Sequence, residues 1–127
     1  MTDVLLVGVG GFVGAVLRYA VGGLVQAASR SSALPYGTLF VNVSGCLAIG
    51  LLSQLADTRA MFTPEVRLLL FAGVLGAYTT FSTFGNDTLR LFHAGTPLLA
   101  LANIGAQLGL GLGAVWLGRS AAAWLWH

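Results

Sequence analysis

The chain has very little charge to present to water. Only 8% of its 127 residues are charged, where a soluble domain carries roughly 25%, so lipid must be its main solvent. Lysine is absent altogether. The six basic residues are all arginine, placed singly at positions 18, 30, 59, 67, 90 and 119. Nucleic-acid binders gather basic residues into patches, so the formal charge of +2 has no basic face behind it and argues against that class of partner. A single cysteine, Cys46, excludes an intramolecular disulfide framework.

Groups for catalysis are equally scarce. The acids are Asp3, Asp57, Glu65 and Asp87, and the histidines are His93 and His127. None has the spacing of a metal-ligand cluster, and Cys46 has no histidine nearby. The glycine run from Gly8 to Gly14 looks like a dinucleotide fingerprint but has Val13 where its last glycine belongs. It reads better as helix packing. We therefore expect no enzyme, and we place His93 and His127 at the ends of spans, not in a ligand set.

What is present is apolar sequence in long runs, 57% of the chain. A spanning helix needs about 20 mostly apolar residues, and the chain offers four such stretches at roughly 4–25, 36–55, 65–92 and 98–119. The first continues well past the length of a signal-peptide core and carries Arg18, so we read it as a span, not a cleaved leader. Pro35 favours a fresh start for the second, Pro64 suits the first turn of the third, and Gly95-Thr96-Pro97 separates the third from the fourth. Trp116, Trp124 and Trp126 suit an interfacial belt at the end of the last span. The expectation is one all-α membrane domain over residues 1–127, multi-pass, with four transmembrane helices.

The third span is unusual. Its middle, from Gly73 to Gly85, contains glycines and four hydroxyl residues, Thr79, Thr80, Ser82 and Thr83. Irregular backbone at membrane depth is tolerated only against protein or a water-filled cavity, and we expect a helix break near Gly76 to Thr80, buried against other protein. Gly10 and Gly14 are four apart, as are Gly105, Gly109 and Gly113. Small residues at this interval let helix backbones approach closely, whether the partner is internal or a second copy.

Four spans put both termini on one side, together with Arg59, Arg67 and Arg119, and leave Arg18, Arg30 and Arg90 on the other. Cytoplasmic loops normally carry the excess of basic residues. Here the count is balanced, which is compatible with insertion in both orientations and antiparallel pairing.

Neutral polar residues recur within the spans: Thr38, Asn42 and Ser44 on the second, the four hydroxyls on the third, Asn103 and Gln107 on the fourth. Each alone is adequately explained as glue between helices. Together they suggest a polar pathway. It has no mid-span carboxylate of the kind a proton or cation relay uses, whereas hydroxyls and amides donate to anions and Arg18 attracts them. Phe81 and Phe84 lie three apart, and an aromatic ring has a positive edge.

Three stretches then carry a family resemblance: residues 10–19, beginning Gly10-Gly11-Phe12-Val13-Gly14 and ending Arg18-Tyr19; residues 37–45, Gly37-Thr38-Leu39-Phe40-Val41-Asn42-Val43-Ser44-Gly45; and Thr79-Thr80-Phe81-Ser82-Thr83-Phe84. In order and spacing the chain resembles the Fluc (CrcB) family of fluoride channels. The resemblance implies an antiparallel, dual-topology homodimer in a bacterial inner (plasma) membrane, with two fluoride pores and a broken third helix. It also implies a structural Na⁺ at the dimer centre, held by the backbone carbonyls of Gly76 and Thr79. The implied pathway comprises Asn42, Phe81, Phe84, Ser82, Thr83 and Thr38, with Arg18 near the vestibule, and the implied activity is passive export of cytoplasmic fluoride. The chain departs from the family pattern at Ala77, Asp87, Asn103, Gln107 and Gly111, so the fourth-helix part of the pathway is the least determined. The alternatives are a small proton-coupled drug exporter, which wants a mid-membrane carboxylate where this chain has Glu65 at a span end, and a non-conducting assembly subunit.

Overall fold

A computed structural model describes residues 1–126; His127 lies outside the described residues. The described chain is all-helical, and four of its helical runs are long and apolar enough to cross a membrane. The first is α1 (Thr2–Ser29) and the second α2 (Tyr36–Arg59). The third run consists of α3, residues 64–78, followed by α4 (Phe81–His93), and the fourth is α5 (Pro97–Leu125). At 28 residues α1 is about 42 Å long, enough to cross the hydrocarbon and both headgroup layers. This is why the helices overrun the stretches expected from hydropathy: apolar runs mark the hydrocarbon depth, while the helix continues through the interface.

The ends follow local chemistry. Pro64 opens α3 behind Thr63, whose hydroxyl accepts the Val66 amide. Pro97 likewise lies in the first turn of α5, and Gly95 supplies the positive φ of 76° that the α4–α5 turn requires. Gln26 fixes the α1–α2 loop, donating to the carbonyls of Ser31 (2.7 Å) and Leu34 (3.2 Å) and accepting the Gly37 amide at 3.0 Å.

Within α3, residues Leu68–Leu75 are wound as a π-helix, which periodicity did not suggest. This wide segment is where α1 docks. Gly10 lies against Leu69 and Gly73, and Gly14 against Val74 and Tyr78, so close that a Cβ at either position would strike backbone. The Gly10–Gly14 spacing thus serves contact inside the chain. The fourth-helix spacing does not: among the described residues nothing lies within 4 Å of where a Cβ would stand at Gly105, Gly109 or Gly113. The α2–α5 contact, the most extensive between helices, uses another face of α5, on which Asn103, Gln107, Gly111, Ala114, Gly118 and Ala122 are buried. Trp116 and Trp124 of α5 and Trp126 at its C-cap are all exposed, but Trp116 sits about 12 Å deeper along the helix than Trp124, so only Trp124 and Trp126 suit the interfacial belt.

Between α3 and α4 the backbone is extended at two residues, Thr79 (φ −87°, ψ 158°) and Thr80 (φ −151°, ψ 115°), while Gly76 remains helical.

Candidate functional site: a polar cleft at Thr79 and Thr80

Two extended residues free backbone groups that a continuous helix would pair. The Thr80 amide, which would reach the Gly76 carbonyl in an unbroken helix, is accepted by Asn42 Oδ1 at 2.7 Å. The Thr83 amide, which would reach the Thr79 carbonyl, is accepted by Thr80 Oγ1 at 3.2 Å. Thr80 is thereby the N-cap of α4, a role its β-region dihedrals and hydroxyl fit. The carbonyls of Gly76 and Thr79 lose their helical donors as a consequence. Asn42 reaches back with its other end, donating to the Thr80 carbonyl at 3.0 Å. One side chain on α2 thus replaces the backbone partner of the Thr80 amide and adds a second donor to the carbonyl of this buried N-cap residue.

The amide of Asn42 also donates to Gln107 Oε1 on α5, at 3.0 Å. Gln107 is buried, and among the described residues its Nε2 has no hydrogen-bond partner. A buried donor of this kind carries the cost of desolvation with nothing to offset it, and such groups call for an explanation.

Thr80 lies between two openings. On one side is a cleft of about 330 Å³ lined by Asn42, Gly76, Thr79, Phe81, Phe84 and Gln107. The rings of Phe81 and Phe84 meet edge to face there, with centroids 5.4 Å apart and planes at 66°. Phe81 is 79% exposed, so most of its ring is free to meet something outside this chain. On the other side is a cavity of about 640 Å³ lined by Arg18, Thr38, Thr83, Asp87 and Arg90, with Thr80 at its base. Two guanidinium groups against one carboxylate leave this cavity net positive. Asp87 accepts from Thr38 Oγ1 at 2.9 Å and pairs with Arg90 at 3.6 Å.

Every site residue implied by the family resemblance lines one of the two openings except Ser82, which instead lies 3.3 Å from Thr80 Oγ1, oxygen to oxygen. Thr80 also donates to Thr83 Oγ1 at 3.0 Å. Two lining residues, Asp87 and Gln107, carry more than the family resemblance assigns them. Asp87 was noted only as a departure from the family pattern, although its place two turns after Thr80 on a helix puts it beside Thr38. Gln107 carried one usable signal, its position one turn from Asn103 on an otherwise apolar helix. Asn103 is engaged elsewhere: buried, it donates to Thr88 Oγ1 at 2.9 Å, and Thr88 donates to the Phe84 carbonyl at 2.8 Å. It holds α5 to α4. Ser44 bonds Tyr78 Oη at 2.8 Å and ties α2 to α3 in the same way. Among the described residues no three of His, Cys, Asp and Glu come together.

Four membrane-crossing helices around a polar cleft that has amides, hydroxyls and ring edges, and no carboxylate beside Asn42, define a multi-pass membrane protein with an interior suited to a small polar solute. Residues 5–119 match the family described as CrcB-like protein, Camphor Resistance (CrcB), and the chain belongs to that family. It is 46% identical to "Fluoride-specific ion channel FluC" of Rhizobium meliloti over 118 residues, covering 93% of this chain and 94% of the relative. A protein of the same name from Methylobacillus flagellatus is 42% identical, over 93% and 92% of the two chains. "Fluoride-specific ion channel FluC 1" of Methanosarcina acetivorans is 41% identical, over 96% and 92%.

Proposed function

We propose that the chain is a passive, fluoride-selective channel of a bacterial inner membrane that lets cytoplasmic fluoride leave the cell. The observation that carries this reading is the unpaired Gln107 amide beside Asn42, facing the cleft of Phe81 and Phe84. A buried N–H with no acceptor is an anion's partner, and the ring edges of the two phenylalanines present the same sign of partial charge. The net-positive cavity of Arg18, Asp87 and Arg90 gathers anions at its mouth. Thr38, Ser82 and Thr83 supply hydroxyls along the way. The relatives' names agree with this assignment of the ion.

The working unit of this proposal is an inverted homodimer with two pores along its interface. The largely bare Phe81 ring, the glycine row on the outer face of α5 and the balanced arginines all support a second copy of opposite orientation. The carbonyls of Gly76 and Thr79, both deprived of helical donors by the Asn42 and Thr80 side chains, are fitting ligands for a hard cation. A Na⁺ held there by both subunits would neutralise carbonyl dipoles at the dimer centre and act structurally. Glu65 at the exposed start of α3 leaves a proton-coupled exporter without its mid-membrane acid.

Fluoride efflux from liposomes containing the purified protein tests the reading, with chloride as the comparison ion and no imposed proton gradient. Fluoride release without matching chloride release is expected. Absence of fluoride release, equal chloride passage, or an absolute need for a proton gradient would overturn it.

A further inference from the structure

At the membrane surface on the side of the termini, a groove lies between the ends of α2, α3 and α5, sharing only Phe71 with the cleft. It has a volume of about 600 Å³. Asp57 stands at its rim between two arginines, 3.5 Å from Arg67 Nη2 and 3.1 Å from Arg119 Nη2. All three side chains are about half exposed. One carboxylate takes a single contact from each guanidinium, and a guanidinium has five N–H donors. The carboxylate therefore aims both arginines at the groove, leaves most of their donors unused, and leaves one unit of positive charge.

Below this rim the α3 wall is apolar, and Ser53 lines the α2 side. Leu68, Phe71 and Ala72 follow Arg67 down α3 toward the bilayer interior, and Ala72 is exposed. The level of the rim is fixed by its neighbours. Arg119 is about a turn and a half from the exposed Trp124, and Arg59 at the end of α2 donates to the Trp126 carbonyl. Tryptophans at this level mark the headgroup layer. A site with one surplus positive charge and forked donors at headgroup height, opening onto an apolar wall, matches a phosphodiester monoanion carrying acyl chains.

We propose that the Arg67–Asp57–Arg119 groove binds the phosphate of an anionic glycerophospholipid. The chemistry recognised is a phosphate oxyanion, which free phosphate shares; the apolar wall selects the lipid. This inference does not rest on the fluoride pathway: of the groove's residues only Phe71 also lines the cleft, and Asp57, Arg67 and Arg119 line neither the cleft nor the cavity around Thr80.

The test is native mass spectrometry of the full-length protein after exchange into mixed micelles of phosphatidylglycerol and phosphatidylcholine. Phosphatidylglycerol should be retained preferentially, with retention falling about fivefold for Arg67→Gln or Arg119→Gln alone and more for the pair. Arg30→Gln, which removes the same charge at the opposite membrane surface, should leave retention unchanged. Ala72→Trp keeps every charge and fills the groove from a lipid-facing position, so it should also lower retention even if the arginine variants fold poorly. Equal retention of the two lipids, or the same loss in Arg30→Gln, would overturn the proposal. So would a rise in melting temperature with inorganic phosphate that disappears in the double variant while lipid retention stays constant, since that assigns the groove to free phosphate.

Discussion

Asn42 and Thr80 hold each other by two hydrogen bonds: the Asn42 carbonyl oxygen accepts the Thr80 amide at 2.7 Å, and the Asn42 amide donates to the Thr80 carbonyl at 3.0 Å. The asparagine side chain, with an acceptor and a donor side by side, imitates a neighbouring strand. It lets two residues run extended inside a membrane span, where unpaired backbone costs several kcal/mol. The same contact withdraws the Thr80 amide from Gly76, so it also shapes the carbonyl surface facing out of the chain.

Replacing Asn42 by alanine should therefore be costly twice. The Thr80 amide loses its acceptor at a buried position, a penalty of about 1–3 kcal/mol for the group left unsatisfied, and the Thr80 carbonyl loses one of its donors. Chemical denaturation in detergent should show that loss, and fluoride efflux should fall with it. Asn42→Asp separates the two functions: the carboxylate still accepts the Thr80 amide but no longer donates to the Thr80 carbonyl, to Gln107 or to an anion. Wild-type efflux in Asn42→Asp would remove Asn42 from the pathway.

Phe81→Ile and Phe84→Ile should each reduce fluoride efflux by about tenfold or more while leaving the oligomeric state intact. Isoleucine keeps apolar bulk and loses the positive ring edge. An edge-to-face pair is worth about 0.5–1.5 kcal/mol beyond burial, so a small stability loss is expected as well, readable by melting. Unchanged flux in both variants would show that the rings only pack.

Much of this architecture could be read from residue order. Four apolar runs, Pro64 and Pro97 at helix starts, and the glycine and threonine cluster in the third run all have local physical causes, and each sits where those causes place it. What escaped depends on contacts between distant residues. The π-wound segment of α3 accompanies the close approach of Gly10 and Gly14, which no period along α3 encodes. The glycines of α5 share one spacing with those of α1, yet only Gly111 and Gly118, outside the Gly105–Gly113 row, face α2. Periodicity marks a face without naming its neighbour. Gln107 is visible in the sequence but its role is not, for a related reason: an amide on an apolar helix is glue when its donors are paired and a binding group when they are not, and only the three-dimensional arrangement distinguishes the two.

The contact between α1 and α3 makes a sharp prediction about glycine. In Gly14→Ala the new Cβ would fall on the Val74 carbonyl oxygen and 3.0 Å from the Tyr78 nitrogen. Both are backbone and cannot rotate away. The helices must separate, at about 1–3 kcal/mol. Gly8→Ala, on the same helix with nothing within 4 Å among the described residues, should be neutral or gain up to about 1 kcal/mol from helix propensity. Equal effects of the two substitutions on unfolding in detergent would refute the close α1–α3 approach.

Gln107→Glu offers the most direct test of the unpaired amide. Glutamate has the same shape and still accepts from Asn42, but it exchanges two free N–H donors for a second oxygen. When ionised it also places a negative charge where an anion should pass. Protonation removes that charge, so the neutral form, whose O–H can donate, gains population as pH falls. Fluoride efflux through Gln107→Glu should therefore be lowest at alkaline pH and recover toward acid pH, whereas the wild type shows no such recovery over the same range. Gln107→Leu removes donor and acceptor together, discarding the unsatisfied amide but also the acceptor of one Asn42 N–H. Its stability should stay within about 1 kcal/mol of wild type, and its fluoride efflux should be low at every pH. If Gln107→Glu and Gln107→Leu both conduct like the wild type, the amide lies off the ion's path and its unpaired donors must be met by something other than fluoride.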